Sequence, residues 1–468
     1  MKKFYFSFLT MMFVAAFSNT ISAESFTYEG LVYNVVTSVA NAVEVTKPTG
    51  GYTNLSGDLV IPRNVVNNGK TYSVISIAKQ TFAHCTGITS VTFPETLTSI
   101  GVSAFFDCSN LATINFGTNS ALSEIRSEAF SKTAITEVTI PASVKNLSSA
   151  FANNPELTTV NLPDRMLTAG QYQNCPKLKN ITLPDGIEMI DNSMFSGCTS
   201  LTSINIPNSV HQILSGAFYN SGLTNITIPN SVTSISSSAF QNCISMTSAT
   251  IGNGVTNIGD KAFYGCSGLT SITIPNSVTW IGGMTFSGCS GLKTVTIGSN
   301  VTNFSTDAFD GCPIETLTVG SDLGAYIARY PAAKSTLKTL TLTEGVTTLP
   351  ENAFKDCSEL LTVAMPSTLK SIGNSAFENC AKMTDVTVKM IKPFPIDESV
   401  FRGVLQHGYC DLHVPVGSKI RYAAMEVWKE FAVITEDGGS GQKKGDVNGD
   451  GQVTIADVVA VLNIMAEQ

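Results

Sequence analysis

Charge is scarce in this chain. Asp, Glu, Lys and Arg make up 14% of its 468 residues, against about 25% in an average soluble domain. Hydrophobic residues still reach 43% and aromatics 8%, which excludes wholesale disorder. The charge that is present leans negative, with a formal net of −8. Without Lys2 and Lys3, which fall in a segment expected to be removed, 26 basic residues face 36 acidic ones. No basic footprint is available for nucleic acid. No polybasic cluster is available for an anionic membrane.

Histidine is scarcer still. His84, His211, His407 and His413 form no H-E-x-x-H pair. His84 and His211 fall on variable positions of the pattern described below and are expected at the surface. No G-x-S-x-G elbow, phosphate loop or dinucleotide fingerprint occurs. Any two carboxylates could converge in space, but the acidic residues scatter over variable positions, as solubilising residues do. The chain is therefore read as a non-enzyme. Beyond its first residues it has no run of eighteen apolar residues, so no transmembrane helix is expected.

Residues 1–23 have the layout of a signal peptide. Lys2 and Lys3 form a positive start, and Phe4 to Phe17 is an apolar core too short to span a bilayer. Ile21-Ser22-Ala23 is a plausible cleavage site. No cysteine follows it for lipid attachment. An exported chain beginning near Glu24 is expected, at the cell surface or outside the cell.

What the sequence has in plenty is one pattern. An aromatic residue, usually preceded by Ala, recurs at Phe82, Phe105, Phe130, Phe151, Tyr172, Phe195, Phe218, Phe240, Phe263, Phe286, Phe309, Phe354, Phe377 and Phe401. Neighbours are 21 to 25 residues apart, mostly 23. The one gap of 45, from Phe309 to Phe354, equals two units. The irregular stretch around Ala325 to Ala333, with Tyr330 as a candidate anchor, fills it. This gives about fifteen units.

A clean unit runs from Ser267 to Cys289. Leu269-x-x-Ile272-x-Ile274 alternates apolar and polar, a strand signal. Pro275-Asn276 turns the chain. Val278-x-x-Ile281 is a second short extended segment, and Phe286-x-x-Cys289 closes the unit at a corner expected to hold a turn or a 3₁₀ piece. A unit this short cannot bury its apolar face alone and must stack on its neighbours. The fold class expected is a β-rich solenoid with parallel strands. At one strand spacing per unit it would run roughly 70 Å.

Ten of the eleven cysteines sit three residues after the anchor: Cys85, Cys108, Cys175, Cys198, Cys243, Cys266, Cys289, Cys312, Cys357 and Cys380. Only Cys410 is off this grid. Equivalent positions elsewhere hold Thr133, Asn154 and Ser221. Export invites a disulfide reading. A buried ladder of free thiols is preferred, because small polar substitutes suit hydrogen bonding to backbone. In-register stacking also spaces Cβ atoms wider than the ~3.8 Å a disulfide prefers. Cysteines on a line do not converge on a tetrahedral metal site.

The unit L-x-x-I-x-I-P-x-x-V-x-x-I-G-x-x-A-F-x-x-C resembles the leucine-rich repeats of BspA-like bacterial surface proteins. Residues 269–289 follow it closely, except at Met284-Thr285. The resemblance covers about Ser76 to Gly403. Phe26-x-Tyr28-x-Gly30-Leu31-x-Tyr33, with Ile61-Pro62 and Tyr72-x-Val74, looks like the family's N-terminal cap, placed at 24–75. Val414-Pro415-Val416-Gly417-Ser418 through Trp428 and Phe431 looks like its closing unit, placed at 410–436 after a repeat domain over 76–409. The resemblance implies a bacterial source of Bacteroidetes type, surface attachment, and adhesion to host proteins or other cells.

Composition changes after Glu436. Residues 437–444 are linker-like. Asp446, Asn448, Asp450, Gln452 and Asp457 then have the spacing of an EF-hand-type calcium loop, with Gly451 at its sharp turn. An apolar helix is expected to follow. Residues 445–468 resemble half of a type I dockerin, a module that uses two such segments to dock onto cohesins. Calcium is the expected ion and a cohesin-like protein the implied partner of the tail. A lone loop and helix of this size is too small to bury a core of its own.

The exposed strand positions are Thr, Ser and Asn in unit after unit, as in Thr270-Ser271-x-Thr273 and Thr224-Asn225-x-Thr227. Such a face can hydrogen-bond a glycan or a protein backbone, and Thr is also simply a good exposed strand residue. Trp280, Tyr264 and Tyr219 are the candidate ligand contacts. Trp280 stands where neighbouring units have small polar residues, and an exposed Trp is a typical contact hot spot. Two functions fit. One is an adhesin for host extracellular protein or other cells. The other is a non-catalytic accessory protein of a polysaccharide-utilising assembly, held by its tail.

Overall fold

In the computed structural model the described residues are 24–52, 54–322 and 331–437. The expected signal peptide 1–23, the candidate anchor Tyr330 and residues 438–468, with the expected calcium loop, lie outside them. The chain winds as a β-solenoid of about fifteen turns. Each turn places a short strand on one face and a shorter one on a second face.

The first face continues from turn to turn by parallel pairing. Ser271–Ile274 pairs with Thr294–Ile297, then Thr316–Val319, Thr339–Leu342, Thr362–Met365, Asp385–Val388, Asp411–Pro415 and Ile434–Asp437. Side chains alternate strictly: Ser271 and Thr273 face out, Ile272 and Ile274 face in. A one-residue slip would expose every Ile and bury every Thr, so the alternation fixes the register. On the second face, two-residue strands such as Asn257–Ile258, Trp280–Ile281 and Asn303–Phe304 pair in the same sense. Between the faces the Pro275 carbonyl accepts the Val278 N–H at 3.1 Å, closing a turn.

The third corner carries the anchor. Neighbouring rings stack along the solenoid: Phe218–Phe240, Phe240–Phe263 and Phe263–Phe286 have centroids 5.1–5.3 Å apart and planes within 11°. Each ring is buried, and each such contact adds ~0.5–1.5 kcal/mol to the burial term. In most described units the corner is a chain of turns, and a 3₁₀ piece, Leu405–His407, follows the anchor Phe401. The physical reason for the turns is two residues in the left-handed region in most corners. In one unit these are Met284 (φ 53°), two before Phe286, and Gly288 (φ 75°), two after it. A left-handed residue ends a right-handed helical run.

Both ends are closed. Ser25–Tyr28, Leu31–Val36 and Ala42–Thr46 form an antiparallel meander whose last strand joins Lys70–Ile77 in parallel. The coil starts within the segment assigned to the cap. Gly57–Val60 already pairs in parallel with Ile88–Thr92, and Tyr52 stacks on Phe82 at 5.3 Å as the first rung of the ring ladder. At the far end Phe431 meets Phe401 edge-on at 5.2 Å. The fully buried Trp428 donates its indole N–H to the Phe394 carbonyl at 2.9 Å. Among the described residues no helix is long and apolar enough to cross a membrane.

Candidate binding surface

The cysteine column is structural. All eleven thiols are free and buried. Each Sγ in the regular turns donates to the anchor carbonyl of the turn before: Cys243 to Phe218, Cys266 to Phe240, Cys289 to Phe263 and Cys312 to Phe286, at 3.1–3.2 Å. Where cysteine is replaced, a polar group does similar work. The Asn154 amide donates to the Phe130 carbonyl of the turn before at 2.9 Å, and the Thr133 hydroxyl links the same two turns by donating to Asn154 Oδ1 at 2.9 Å. Burial pushes the Cys108 and Cys175 thiols up to about 12. A thiol held protonated is a poor nucleophile and a poor metal ligand. Among the described residues no cluster of His, Cys, Asp or Glu could hold a metal ion.

The threonines of the outer surface divide into two kinds. Those just before each strand are committed to the fold. Thr224 Oγ1 donates to the Thr202 carbonyl and Thr247 Oγ1 to that of Thr224, each at 3.1 Å. A second such ladder runs through Thr233, Thr256, Thr279 and Thr302. Those inside the strands are different. Among the described residues, the hydroxyls of Thr273, Thr296, Thr318 and Thr341 have no protein partner, and they stand in one register column. Further toward the N-terminus this face is concave. Two depressions of about 710 and 560 Å³ share Asn161.

The three aromatic candidates do not form one site. Trp280 lies on the second face, in register between Asn257 and Asn303, and is 37% exposed. Tyr219 and Tyr264 follow Phe218 and Phe263 at the ring corner, where Gln241 holds the equivalent position in the turn between them. Tyr219 is exposed and Tyr264 half-buried. Trp280 borders an open depression of about 520 Å³ together with Asp260, Lys261, Gly283, Asn303 and Asp307. The Asp260 carboxylate accepts the Gly283 N–H at 2.7 Å, and Asp307 accepts the Met284 N–H at 3.0 Å. The Ser305 hydroxyl and the Met284 N–H hold the Asp307 carboxyl below the usual range.

His84 and His211 are exposed as expected. His84 Nδ1 lies 2.9 Å from Asp107. Three features escaped the sequence reading. Tyr52 was missed because the hairpin of Asn64–Asn67 with Lys70–Ile77 stretches its spacing to Phe82. Gly283 was not separated from the structural glycines around it. Leu167 and Met189, both exposed, border a depression of about 290 Å³ where the second sheet is interrupted.

The chain matches the BspA type leucine-rich repeat region over residues 70–173, 166–282, 212–330 and 325–409. Among solved structures, a leucine-rich repeat protein of Bacteroides ovatus is 23% identical, over 78% of this chain and 94% of that one, with a TM-score of 0.48. A leucine-rich cell surface protein of Faecalibacterium prausnitzii is 25% identical, over 78% and 95%, with a TM-score of 0.41. No curated protein is significantly similar to the chain.

Proposed function

Starting from a chain that belongs to the BspA type leucine-rich repeat family, we propose an exported, surface or extracellular binding protein. Its extended repeat face adheres to host proteins or to other cells, and the chain carries out no catalysis. One observation carries this reading. A parallel sheet eight strands long presents a column of in-strand threonine hydroxyls without protein partners. Such a surface offers many weak, uncharged contacts over a long span. It suits a partner with an extended backbone. Low charge density makes the binding only weakly dependent on salt. Trp280 on the second face, and Tyr219 and Tyr264 at the ring corner, are additional contact points outside this threonine column.

A second reading is supported by the tail. The oxygen ligands at Asp446, Asn448, Asp450, Gln452 and Asp457 suit calcium. A calcium-ordered dockerin-like segment would hold the solenoid on a cohesin-like protein of a polysaccharide-utilising assembly. The test uses mature protein 24–468 and a 24–436 truncation on arrays of host matrix proteins and polysaccharides, with calcium present. A matrix-protein hit retained by the truncation supports the adhesin. A hit lost with the tail supports docking. No hit on either array overturns both.

A further inference from the structure

In a solenoid every turn solves the same packing problem. A residue that departs from its column at an exposed position is therefore not demanded by the fold. One turn collects such departures. Its second-face column reads Met189, Gln212, Ser234, Asn257, Trp280, Asn303, and Trp280 is the one aromatic among them.

Three residues on, Gly283 stands where the adjacent turns have Asp260 and Thr306. The two glycines here differ. A Cβ on Gly282 would lie 2.4 Å from Asp260 Oδ1 and 2.6 Å from its backbone N, so packing requires that glycine. A Cβ on Gly283 would lie 3.5 Å from Asp307 Oδ1 and 3.7 Å from Asp260 Oδ1, which is ordinary contact. Packing does not require Gly283. What its missing side chain does is leave the floor beside Trp280 open.

Next to it, Met284 occupies a left-handed position, φ 53°, where the equivalent residues are Gly216, Ser238 and Lys261. A long side chain in that conformation costs ~1 kcal/mol. The same conformation recurs at this position in other corners, as at Gln80 (φ 55°), Glu128 (φ 57°) and Lys261 (φ 57°), so it belongs to the repeat and does not mark this turn.

We propose that this depression is a subsite for one pyranose ring of a neutral glycan, stacked on the Trp280 indole. It rests on the reading of the outer surface as a binding surface and names the ligand chemistry at one point of it. A sugar ring has an apolar C–H face and a rim of hydroxyls that both donate and accept. The depression matches both parts. The indole supplies the flat apolar face, as aromatic side chains do in ligand sites. Asp260 and Asp307 each hold one carboxylate oxygen on a backbone N–H and leave the other as an acceptor. Asn303 and Lys261 supply donors. Two carboxylates against one lysine leave the lining slightly negative, which disfavours an anionic glycan. The volume of about 520 Å³ suits one or two sugar rings.

The chain has two tryptophans, and Trp428 is fully buried in the end cap, so a change in intrinsic fluorescence on contact with a ligand reports Trp280. The full chain is titrated with cello-, xylo-, manno- and galacto-hexaose. The expected result is saturable quenching by at least one series. Gly283→Gln should weaken that binding more than tenfold, with circular dichroism and melting unchanged. Trp280→Ala should abolish it by calorimetry. The proposal is overturned if no hexaose binds at millimolar concentration, or if both variants bind as the parent does. Loss of host-protein capture in Trp280→Ala with no hexaose binding also overturns it, and makes the depression a protein contact. Host-protein capture that survives Trp280→Ala while hexaoses fail sinks this inference and leaves the adhesin reading standing. Hexaose binding without any host-protein capture does the reverse.

Discussion

The thiol of Cys266 donates to the carbonyl of Phe240, 26 residues earlier and one turn away, at 3.1 Å. That carbonyl also accepts the Cys243 N–H of its own corner at 3.2 Å. The second lone pair of the anchor carbonyl is thus used to hold the next turn. Cys266→Ala would remove the donor and leave a small void, at a cost of ~1–2 kcal/mol. Cys266→Ser should cost about half as much, because a hydroxyl can donate in its place and Ser221 is already buried at the same position. Urea denaturation of the two variants measures the difference, and equal losses would show that the hydrogen bond contributes nothing.

Buried, protonated thiols should be inert. The thiolate is the reactive form, and burial holds Cys108 and Cys175 near 12. At pH 8, alkylation by iodoacetamide should leave the native protein unmodified. In denaturant without reductant it should reach all eleven cysteines. Mass spectrometry counts the adducts. Fewer than ten after unfolding would mean that disulfides had formed.

Two glycines of one turn give opposite expectations. Gly288 has φ 75° with no close neighbour for a Cβ. Gly288→Ala should therefore cost ~1–2 kcal/mol through backbone conformation alone. Gly283→Ala should fall within about 0.5 kcal/mol of the parent. Thermal melts of both variants, run side by side, check the contrast.

Glu315 receives Lys293 Nζ and Lys338 Nζ, each at 2.9 Å, from the turns on either side of it. The lysine hydrogen bonds, that of Lys338 first, hold its carboxyl down to about 2. A depressed carboxylate stabilises the fold fully above its ordinary value and loses that contribution as pH falls toward the folded-state value. The melting temperatures of the parent and Glu315→Gln should thus differ at pH 6 and converge between about pH 4.5 and 2. A gap that stays constant over that window would show that the pair contributes nothing to folding.

Much of this was legible because a repeat states the same rule many times. The aromatic column, the alternation at Ser271 to Ile274 and the turn at Pro275 each predict one local geometry, and the structure has it. The cysteine column was legible from its substitutes, Thr133, Asn154 and Ser221, which share hydrogen bonding and little else. Other features depend on three-dimensional neighbours. Thr247 and Thr273 look alike in sequence, yet one hydroxyl is bound to backbone and the other is free. Gly282 and Gly283 are adjacent and differ only in what a Cβ would meet. The corner was expected to hold a turn or a 3₁₀ piece, and most units have the turn while Leu405–His407 after Phe401 is 3₁₀. The preference for turns was signalled by the Asn or Gly two residues after most anchors, as at Asn242, Gly265 and Gly288.

The ring, thiol and threonine ladders all point along the solenoid axis, and that direction decides how the molecule meets a pull. Tension applied from end to end loads these bonds lengthwise, one rung at a time, as in opening a zipper. The turns would then peel off singly and not shear apart together. Each 23-residue turn that peels would release about 75 Å of extended chain where it had occupied about 4.8 Å. A molecule stretched between two surfaces would lengthen many-fold under modest force while its remaining turns kept their shape, and would rewind when the load fell.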